Sequence, residues 1–307
     1  MTSQLYADLS WLPSPPGDFR AACQRIELAA DLDAARALAS HALDLNKSRR
    51  LARAIRSISR TISETTLISS RISRIRLGLV GNSTQELLPE ALVVSGLRHG
   101  VLIDVVTTPY GQFSQSIMDQ ESALYTSGRL DLILLALDHH AVLSEKPISS
   151  GEDGSEFSQA IEQLDLLRGR AHQISGATCI LQTIPPVPEQ LFGSLDASIP
   201  STSRATVDAY NQAIHDRAHN TADLVLDVAH VAEVVGLAEW HDPVQWNLAK
   251  ISVAPRFLPL YADHIGRLIA ARCGKSRRVL VLDLDNTIWG GVVGDDGFAG
   301  LVLGQGS

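Results

Sequence analysis

Apolar positions follow two different patterns along the chain. Up to about position 71 they recur at helical spacing, as in Phe19, Cys23 and Ile26, and Ala- and Leu-rich stretches follow at 34–45 and 51–58. This spacing predicts an α-helical section over residues 1–71. From position 72 onward, short apolar runs alternate with longer helical patterns, which is typical of α/β domains.

The short apolar runs predict the strands of a parallel sheet. They lie at 75–80, 101–107, 130–137, 178–183 and 224–228. The run 130–137 is almost continuously apolar, as in strands that are buried on both faces. Helical patterns separate the runs, and right-handed crossovers would bring the carboxyl ends of the strands to one edge, where ligands bind. We therefore predict a doubly wound, three-layer α/β domain over 72–274, with a polar surface loop at 143–154.

Composition narrows the classes of partner. The chain of 307 residues carries a net charge of −8, whereas a nucleic-acid-binding protein needs a basic face, so no nucleic-acid partner is expected. A local basic stretch at 47–60 is interpreted as a solvated helix face, with docking of an acidic partner as the alternative. No apolar run reaches about 18 residues, so no membrane span is expected. Three cysteines without metal-ligand spacing favour a reducing cytoplasm.

Two carboxylates follow an apolar run near the end of the sequence. Residues 279–287 read V-L-V-L-D-L-D-N-T, which predicts a strand that carries Asp283 and Asp285 at its carboxyl end. Phosphoryl transfer through an aspartate requires a carboxylate nucleophile, and a second carboxylate two residues later can act as general acid and base. Mg²⁺ would reduce the charge repulsion at such a site. We therefore expect Asp283 and Asp285 to hold Mg²⁺.

The residues around this pair resemble a known family. The segment 282–297, L-D-L-D-N-T-I-W-G-G-V-V-G-D-D-G, is similar to FkbH-like proteins, a subfamily (IIIC) of the haloacid dehalogenase superfamily, and so are L-G-Q-G-S at 303–307 and W-L-P-x-P-P-x-D-F-R at 11–20. The resemblance implies that 275–307 begins a phosphatase domain. It also implies that Asp283 is the nucleophile or metal ligand, Asp285 the acid and base, and Thr287 a positioning residue.

The resemblance also implies a reaction and a partner. Family members of polyketide assembly take a glyceryl unit from a phosphorylated three-carbon precursor, remove phosphate, and deliver the unit to the phosphopantetheine thiol of an acyl carrier protein. Relatives that load glyceryl often carry a cysteine between the two aspartates, where this chain has Leu284. Because few residues follow the motif, we expect the phosphatase domain to be incomplete here and the chain to lack phosphatase activity.

A second candidate site lies in the middle domain. In this family an SGNH-hydrolase-like (flavodoxin-like) domain precedes the phosphatase, and Gly81-Asn82-Ser83 follows the first predicted strand, where such enzymes carry their nucleophile. Gly111 stands where they place an oxyanion-hole glycine, Asp138 where they place an asparagine, and His241 where they place the base. Ser83, Asp138 and His241 are thus candidate catalytic residues, with Gly81, Asn82 and Gly111 as candidate substrate-binding residues.

Three interpretations of this domain stay open. In the first it is an esterase or acyltransferase that uses Ser83 and His241, although Ala238 replaces the aspartate expected three residues before the histidine. In the second it is a non-catalytic module that docks a carrier protein. In the third Ser83 and Thr84 cap the following helix.

Two further features near this site are ambiguous. A metal site at 138–140 (Asp-His-His) is disfavoured, because adjacent histidines at the end of a strand should point apart. Trp240 and Trp246 flank His241 and could form a pocket wall, although core packing is the more ordinary role for tryptophan.

Overall fold

The computed structural model describes residues 8–143, 155–200, 202–277 and 279–304, with the backbone alone described at 155–157. The chain divides into two compact units, Met1–Cys273 and Gly274–Ser307. The polar loop predicted at 143–154 lies outside the described residues except for its first residue. No helix in the described ranges is both long and apolar enough to cross a membrane.

The N-terminal section of the first unit is helical, as predicted. Its helices within residues 8–71 are α1 (Phe19–Ala29), α2 (Leu32–Ala39), α3 (Leu45–Ser59) and α4 (Glu64–Ser69). Asp31, Asp44 and Ser63 begin α2, α3 and α4, and each side chain accepts a hydrogen bond from a backbone N–H of the first turn. These caps satisfy N–H groups that have no partner inside the helix.

A five-stranded parallel sheet forms the centre of the first unit. Its strands are β1 (Ser73–Gly81), β2 (Val101–Thr107), β3 (Leu132–Ala136), β4 (Thr178–Gln182) and β5 (Leu224–Leu226). Their order in space is β2-β1-β3-β4-β5, and every neighbouring pair is parallel. This is the flavodoxin-like order, in which β2 is added on one side of β1 and the later strands on the other, so the switch point lies between β1 and β3. The predicted doubly wound α/β fold is confirmed.

Helices cover both faces of this sheet. They are α5 (Leu88–Arg98), α6 (Phe113–Met118), α7 (Ala123–Thr126), α8 (His139–Val142), α9 (Ser155–Ser175), α10 (Ser203–His219), α11 (Val228–Val235), α12 (Leu237–Trp240), α13 (Pro243–Ala249) and α14 (Leu258–Arg272). Leu132 and Leu134 of β3 pack into the core under α5, α11 and α14. Ile133 and Leu135 pack into the core under α9 and α10. Alternate residues of one strand thus enter opposite layers.

The helical section packs on the outside of the α5 layer. Residues of α1, α2 and α3 share one apolar core with Val93, Val94 and Leu97 of α5. Arg98, at the end of α5, extends this contact because its Nε donates to the carbonyl of Ala39, 2.7 Å away. The helical section and the α/β domain therefore belong to one compact unit.

The second unit differs from the prediction in one element. The expected strand at 279–287 is not formed in the described residues, and the side chains of Val279, Leu280 and Val281 are exposed. A single strand is unstable without neighbouring strands, and in the described residues this segment makes one isolated bridge, between Asp285 and Trp289. Instead this unit has a two-residue antiparallel pair, β6 (Trp289–Gly290) and β7 (Val302–Leu303), and a helix α15 (Val293–Gly300) that is kinked at Gly297.

Candidate functional site

Ser83 lies beyond the carboxyl end of β1 and is 3% exposed. Its Oγ is 3.0 Å from Oγ of Ser252, and Gln85 Nε2 donates to it over 2.9 Å. The next residue contacts the same region, because Thr84 Oγ1 donates to the carbonyl of Ala249 over 2.7 Å. Helix α5 begins only at Leu88 and has no side-chain cap, so the interpretation of Ser83 and Thr84 as its caps is wrong. Both residues instead hold the 249–252 segment against the sheet edge.

The two candidate glycines have different surroundings. A Cβ at Gly81 would lie 2.5 Å from Gln85 Nε2 and 2.7 Å from the carbonyl oxygen of Ala136, so only glycine fits there. Gly111 has φ of +73°, in the left-handed region that favours glycine, and an open exposed position. It is not among the residues that line the pocket described below, so its role as an oxyanion donor stays a prediction.

Asp138 follows β3 and is buried at the sheet edge. Asn82 Nδ2 donates to its Oδ1 over 2.7 Å, and the Asp138 backbone N–H donates to Asn82 Oδ1 over 3.0 Å. Burial alone would raise the pKa of this carboxyl, but the hydrogen bonds from His140 and Asn82 outweigh it and lower the pKa. Asp138 is therefore an ionised acceptor and cannot donate as the asparagine at its position does in SGNH enzymes.

His139 and His140 begin the short helix α8 instead of extending β3. Their ring centroids are 3.9 Å apart, and His140 Nδ1 lies 3.2 Å from Asp138 Oδ1. One nitrogen or oxygen from each of the three side chains lies within 4.8 Å of the other two. The expectation that the two histidines point apart is wrong, because the helical turn replaces the alternation of a strand.

Two buried polar atoms in this cluster have no hydrogen-bond partner, Asp138 Oδ2 and His139 Nδ1. Burial, together with the nearby His140, lowers the pKa of His139 to about 4, which leaves its ring neutral at pH 7. The cluster therefore combines a carboxylate with a neutral imidazole. Each has one buried polar atom, Oδ2 of Asp138 and Nδ1 of His139, that makes no hydrogen bond.

His241 follows α12 and approaches the cluster from the side. Its Nε2 is 3.3 Å from the carbonyl oxygen of Pro186, and its ring centroid is 5.2 Å from that of His139. The two acidic residues nearest to it in sequence, Glu239 and Asp242, bond to other groups. Asp242 accepts from the N–H groups of Val244 and Gln245, and Glu239 pairs with Arg256. Burial lowers the pKa of His241.

These histidines share a pocket of about 410 Å³. Its lining residues are His139, His140, Val187, Pro188, Glu189, Ala238, His241, Asp242, Pro243, Trp246, Ile251 and Ser252. Trp246 stacks on His140, with centroids 3.5 Å apart, and forms one wall. Trp240 instead lies in the core beside Phe257 and Tyr261. The pocket-wall hypothesis thus applies to Trp246 alone.

The candidate phosphatase residues lie in the second unit. Asp285 Oδ1 accepts from Trp289 Nε1 over 3.1 Å and from the Val293 N–H over 3.2 Å. Asp283 is exposed, and Thr287 takes part in a turn through its backbone N–H. The described residues of this unit place no third carboxylate or histidine in ligand range of the pair. Two carboxylates alone do not complete a Mg²⁺ site, although Mg²⁺ can also bind water and phosphate oxygens.

The model of the FkbH N-terminal domain matches residues 76–270, which is more than half of the chain. The chain belongs to the FkbH family. A search of curated proteins found no match.

Among solved structures, the N-terminal part of BF1531 from Bacteroides fragilis, described as containing a phosphatase domain complexed with Mg, is 23% identical with a TM-score of 0.69. The match covers 86% of this chain and 66% of that one, so this chain spans less than two thirds of its length.

Two further matches have lower scores. A protein from Slackia heliotrinireducens assigned to the SGNH hydrolases is 15% identical, with a TM-score of 0.40 over 64% of this chain and 100% of that one. A GDSL-like lipase from Bacteroides thetaiotaomicron is 12% identical, with a TM-score of 0.35 over 76% of this chain and 99% of that one. The likeness to BF1531 supports the α/β fold alone.

Two residues at the sheet edge were not predicted as site residues from the sequence. Gln85 donates a hydrogen bond to Ser83, and Ser252 shares one with it, but no sequence motif marks either residue. The proximity of Gln85 follows from its place two residues after Ser83. The proximity of Ser252 depends on a fold contact 169 residues away along the chain.

Proposed function

We propose that this chain is the carrier-binding part of an FkbH-like phosphatase and acyl-transfer protein. In this proposal the SGNH-like domain binds the phosphopantetheine arm of an acyl carrier protein in the pocket beside Trp246 and does not hydrolyse its acyl group. The observation that carries the proposal is the placement of Ser83, whose hydroxyl is buried and bonded to Ser252 and Gln85.

A serine nucleophile needs a base within hydrogen-bond reach, and the base needs an orienting group. Neither condition is met at Ser83, because its hydrogen bonds go to a hydroxyl and an amide. His241 is bonded to a backbone carbonyl. The Asp138 carboxylate also stands where an oxyanion would need a donor. These three features favour binding over hydrolysis.

The pocket and its rim suit a carrier protein. The pocket is lined mainly by apolar and imidazole side chains, which can accommodate a flexible amide chain that ends in a thiol or thioester. Helix α13 supplies Pro243 and Trp246 to the pocket and exposes Val244 and Leu248 one turn apart, 63% and 78% exposed. Exposed apolar side chains beside a pocket favour contact with a protein partner.

For the second unit the proposal rests on the family. Asp283 would be the nucleophile, Asp285 the acid and base and Thr287 a positioning residue, with Mg²⁺ supplying charge neutralisation in the complete phosphatase. The acyl unit would come from a phosphorylated three-carbon precursor or a related phosphorylated acid, with Leu284 in place of the cysteine of glyceryl-loading relatives. A cytoplasmic location is part of this proposal, because the spacing of the three cysteines suggests neither a metal site nor a disulfide framework.

Binding of a carrier protein tests the proposal. We expect a carrier that bears the phosphopantetheine arm to bind more tightly than the same carrier without it, measured by isothermal titration calorimetry. Leu248→Ala should weaken binding several-fold, because it removes an apolar contact at the pocket rim. Leu28→Ala is the matched control, since Leu28 is 89% exposed on α1.

Two results would contradict the proposal. One is equal affinity for the two forms of the carrier. The other is turnover of short p-nitrophenyl esters that Ser83→Ala abolishes, which would establish the esterase alternative.

A further inference from the structure

We propose that Asp138, His139 and His140 form a binding site for a divalent transition-metal ion of the zinc class. The site lies at the carboxyl edge of the sheet and is separate from the aspartate pair of the second unit. It does not depend on whether the pocket binds a carrier arm.

The donor atoms are already gathered. Oδ1 of Asp138 and Nδ1 of His140 are 3.2 Å apart, close to the edge of about 3.3 Å in a tetrahedral site with metal–ligand bonds of about 2.0–2.1 Å. The ligand atoms of all three side chains lie within 4.8 Å of one another. A shift of about 1 Å in an imidazole ring would bring all three to bonding distance of one ion.

Unsatisfied buried atoms mark the cluster as a ligand site. Asp138 Oδ2 and His139 Nδ1 are buried and have no hydrogen-bond partner. The Asp138 side chain is 9% exposed, so solvent does not satisfy it. An unpaired buried polar atom costs about 1–3 kcal/mol, and native structures rarely leave such atoms without a partner. One metal ion bound by both oxygens of the Asp138 carboxylate and by His139 Nδ1 would satisfy both atoms.

The surroundings support the ligands in the manner of known metal sites. Asn82 Nδ2 donates to Asp138 and fixes the orientation of the carboxylate. Trp246 stacks on His140 and restricts its ring. His139, His140 and His241 all line the same pocket, so a fourth coordination position would open to that pocket. Three protein ligands with an open position are the arrangement of zinc sites that bind water or substrate.

The donor set selects the class of metal. Two imidazoles and one carboxylate suit Zn²⁺, Co²⁺ and Ni²⁺, whereas Mg²⁺ and Ca²⁺ prefer oxygen ligands alone. A purely structural hydrogen-bond network is the competing explanation. That network accounts for Oδ1 of Asp138, which accepts from Asn82 and His140, but leaves Oδ2 and His139 Nδ1 unexplained.

Cobalt titration of the metal-free chain tests the site. We expect one Co²⁺ per chain with the visible absorption of four- or five-coordinate cobalt, which Zn²⁺ displaces and millimolar Mg²⁺ does not. His139→Gln and His140→Gln should each weaken Co²⁺ binding at least tenfold. His219→Gln, an exposed histidine on α10, is the matched control and should leave binding unchanged.

Circular dichroism of each variant checks that it is folded. If His139→Gln does not fold, the Co²⁺ affinity of His140→Gln is the test. The proposal is overturned by any of three results: no stoichiometric Co²⁺ at micromolar concentration, Co²⁺ binding that His140→Gln does not weaken, or displacement of Co²⁺ by Mg²⁺.

Discussion

The hydroxyl groups of Ser83 and Ser252 form a hydrogen bond of 3.0 Å, although the two residues are 169 positions apart in sequence. This contact, with the bond from Thr84 to the carbonyl of Ala249, fixes the 249–252 segment beside the end of β1. Ser252 also lines the histidine pocket. Ser83 thus holds a pocket-lining residue in place without lining the pocket itself. This is a structural role at the position where SGNH enzymes carry their nucleophile.

Ser83→Ala should therefore affect stability and not ester turnover. Loss of the hydroxyl leaves Gln85 Nε2 and Ser252 without a buried partner, and we expect the free energy of unfolding in urea to fall by about 1–2 kcal/mol. Turnover of p-nitrophenyl acetate should equal that of the parent. Ser69→Ala, on the exposed side of α4, is the control and should change stability by less than about 0.5 kcal/mol. An unchanged stability together with lost turnover would contradict this role.

The sheet was predictable because each strand carries its signal locally. The strand predicted at 101–107 appears with the same bounds, because its run of β-branched and other apolar residues is visible in the sequence itself. The site was less predictable. Asp138 follows the third strand as predicted, but the helical turn that brings His139 and His140 together was not visible in the sequence, which suggested a strand end with the two rings apart. The apolar run at 279–282 does not form the predicted strand, because a strand also needs a partner to pair with, and the sequence of one segment does not show whether a partner is present.

A buried ion pair joins α5 to α14. Arg98 Nη1 lies 2.6 Å from Asp263 Oδ1, and the two side chains are 8% and 1% exposed. Arg98→Ala should lower the free energy of unfolding by about 3 kcal/mol, because it leaves the Asp263 charge buried with fewer partners. Arg204→Ala removes an exposed pair with Asp208 on α10 and should cost at most about 0.5 kcal/mol. Similar losses in the two variants, measured by urea denaturation, would contradict the assignment.

The Asp263 carboxylate should make the free energy of unfolding depend on pH. Burial would raise the pKa of Asp263, but the hydrogen bond from His99 and the charges of Arg98 and Arg267 outweigh it and lower the pKa to about 2 from 3.8. A depressed folded-state pKa stabilises the protein above pH 4, and this contribution of about 2 kcal/mol is lost as the pH falls from about 4 to 2.

Asp263→Asn should remove that part of the acid dependence. The variant will be less stable than the parent at pH 7, and the difference between the two should shrink between pH 4 and pH 2. A stability difference that stays constant with pH, followed by urea denaturation at each pH, would show that Asp263 does not titrate in this range.

The aspartate pair of the second unit should not by itself give phosphatase activity. Asp283 is exposed, and no third protein ligand in the described part of that unit approaches the pair. We expect phosphate release from p-nitrophenyl phosphate with Mg²⁺ to equal the enzyme-free blank for this chain and for Asp283→Asn. Mg²⁺-dependent release by the parent that Asp283→Asn abolishes would contradict this expectation.

Two helical glycines should respond in opposite directions to alanine. A Cβ at Gly96 of α5 would lie 2.6 Å from the Ile103 side chain and 2.8 Å from the carbonyl oxygen of Val101. Alanine gains about 1 kcal/mol of helix propensity, but overpacking against a fixed carbonyl costs about 1–3 kcal/mol, so Gly96→Ala should be destabilising by about 1 kcal/mol. Gly169 of α9 has open space around its Cα, and Gly169→Ala should be stabilising by about 0.5–1 kcal/mol. Urea denaturation separates the two effects, and a gain in stability at Gly96 would show that α5 can move away from β2.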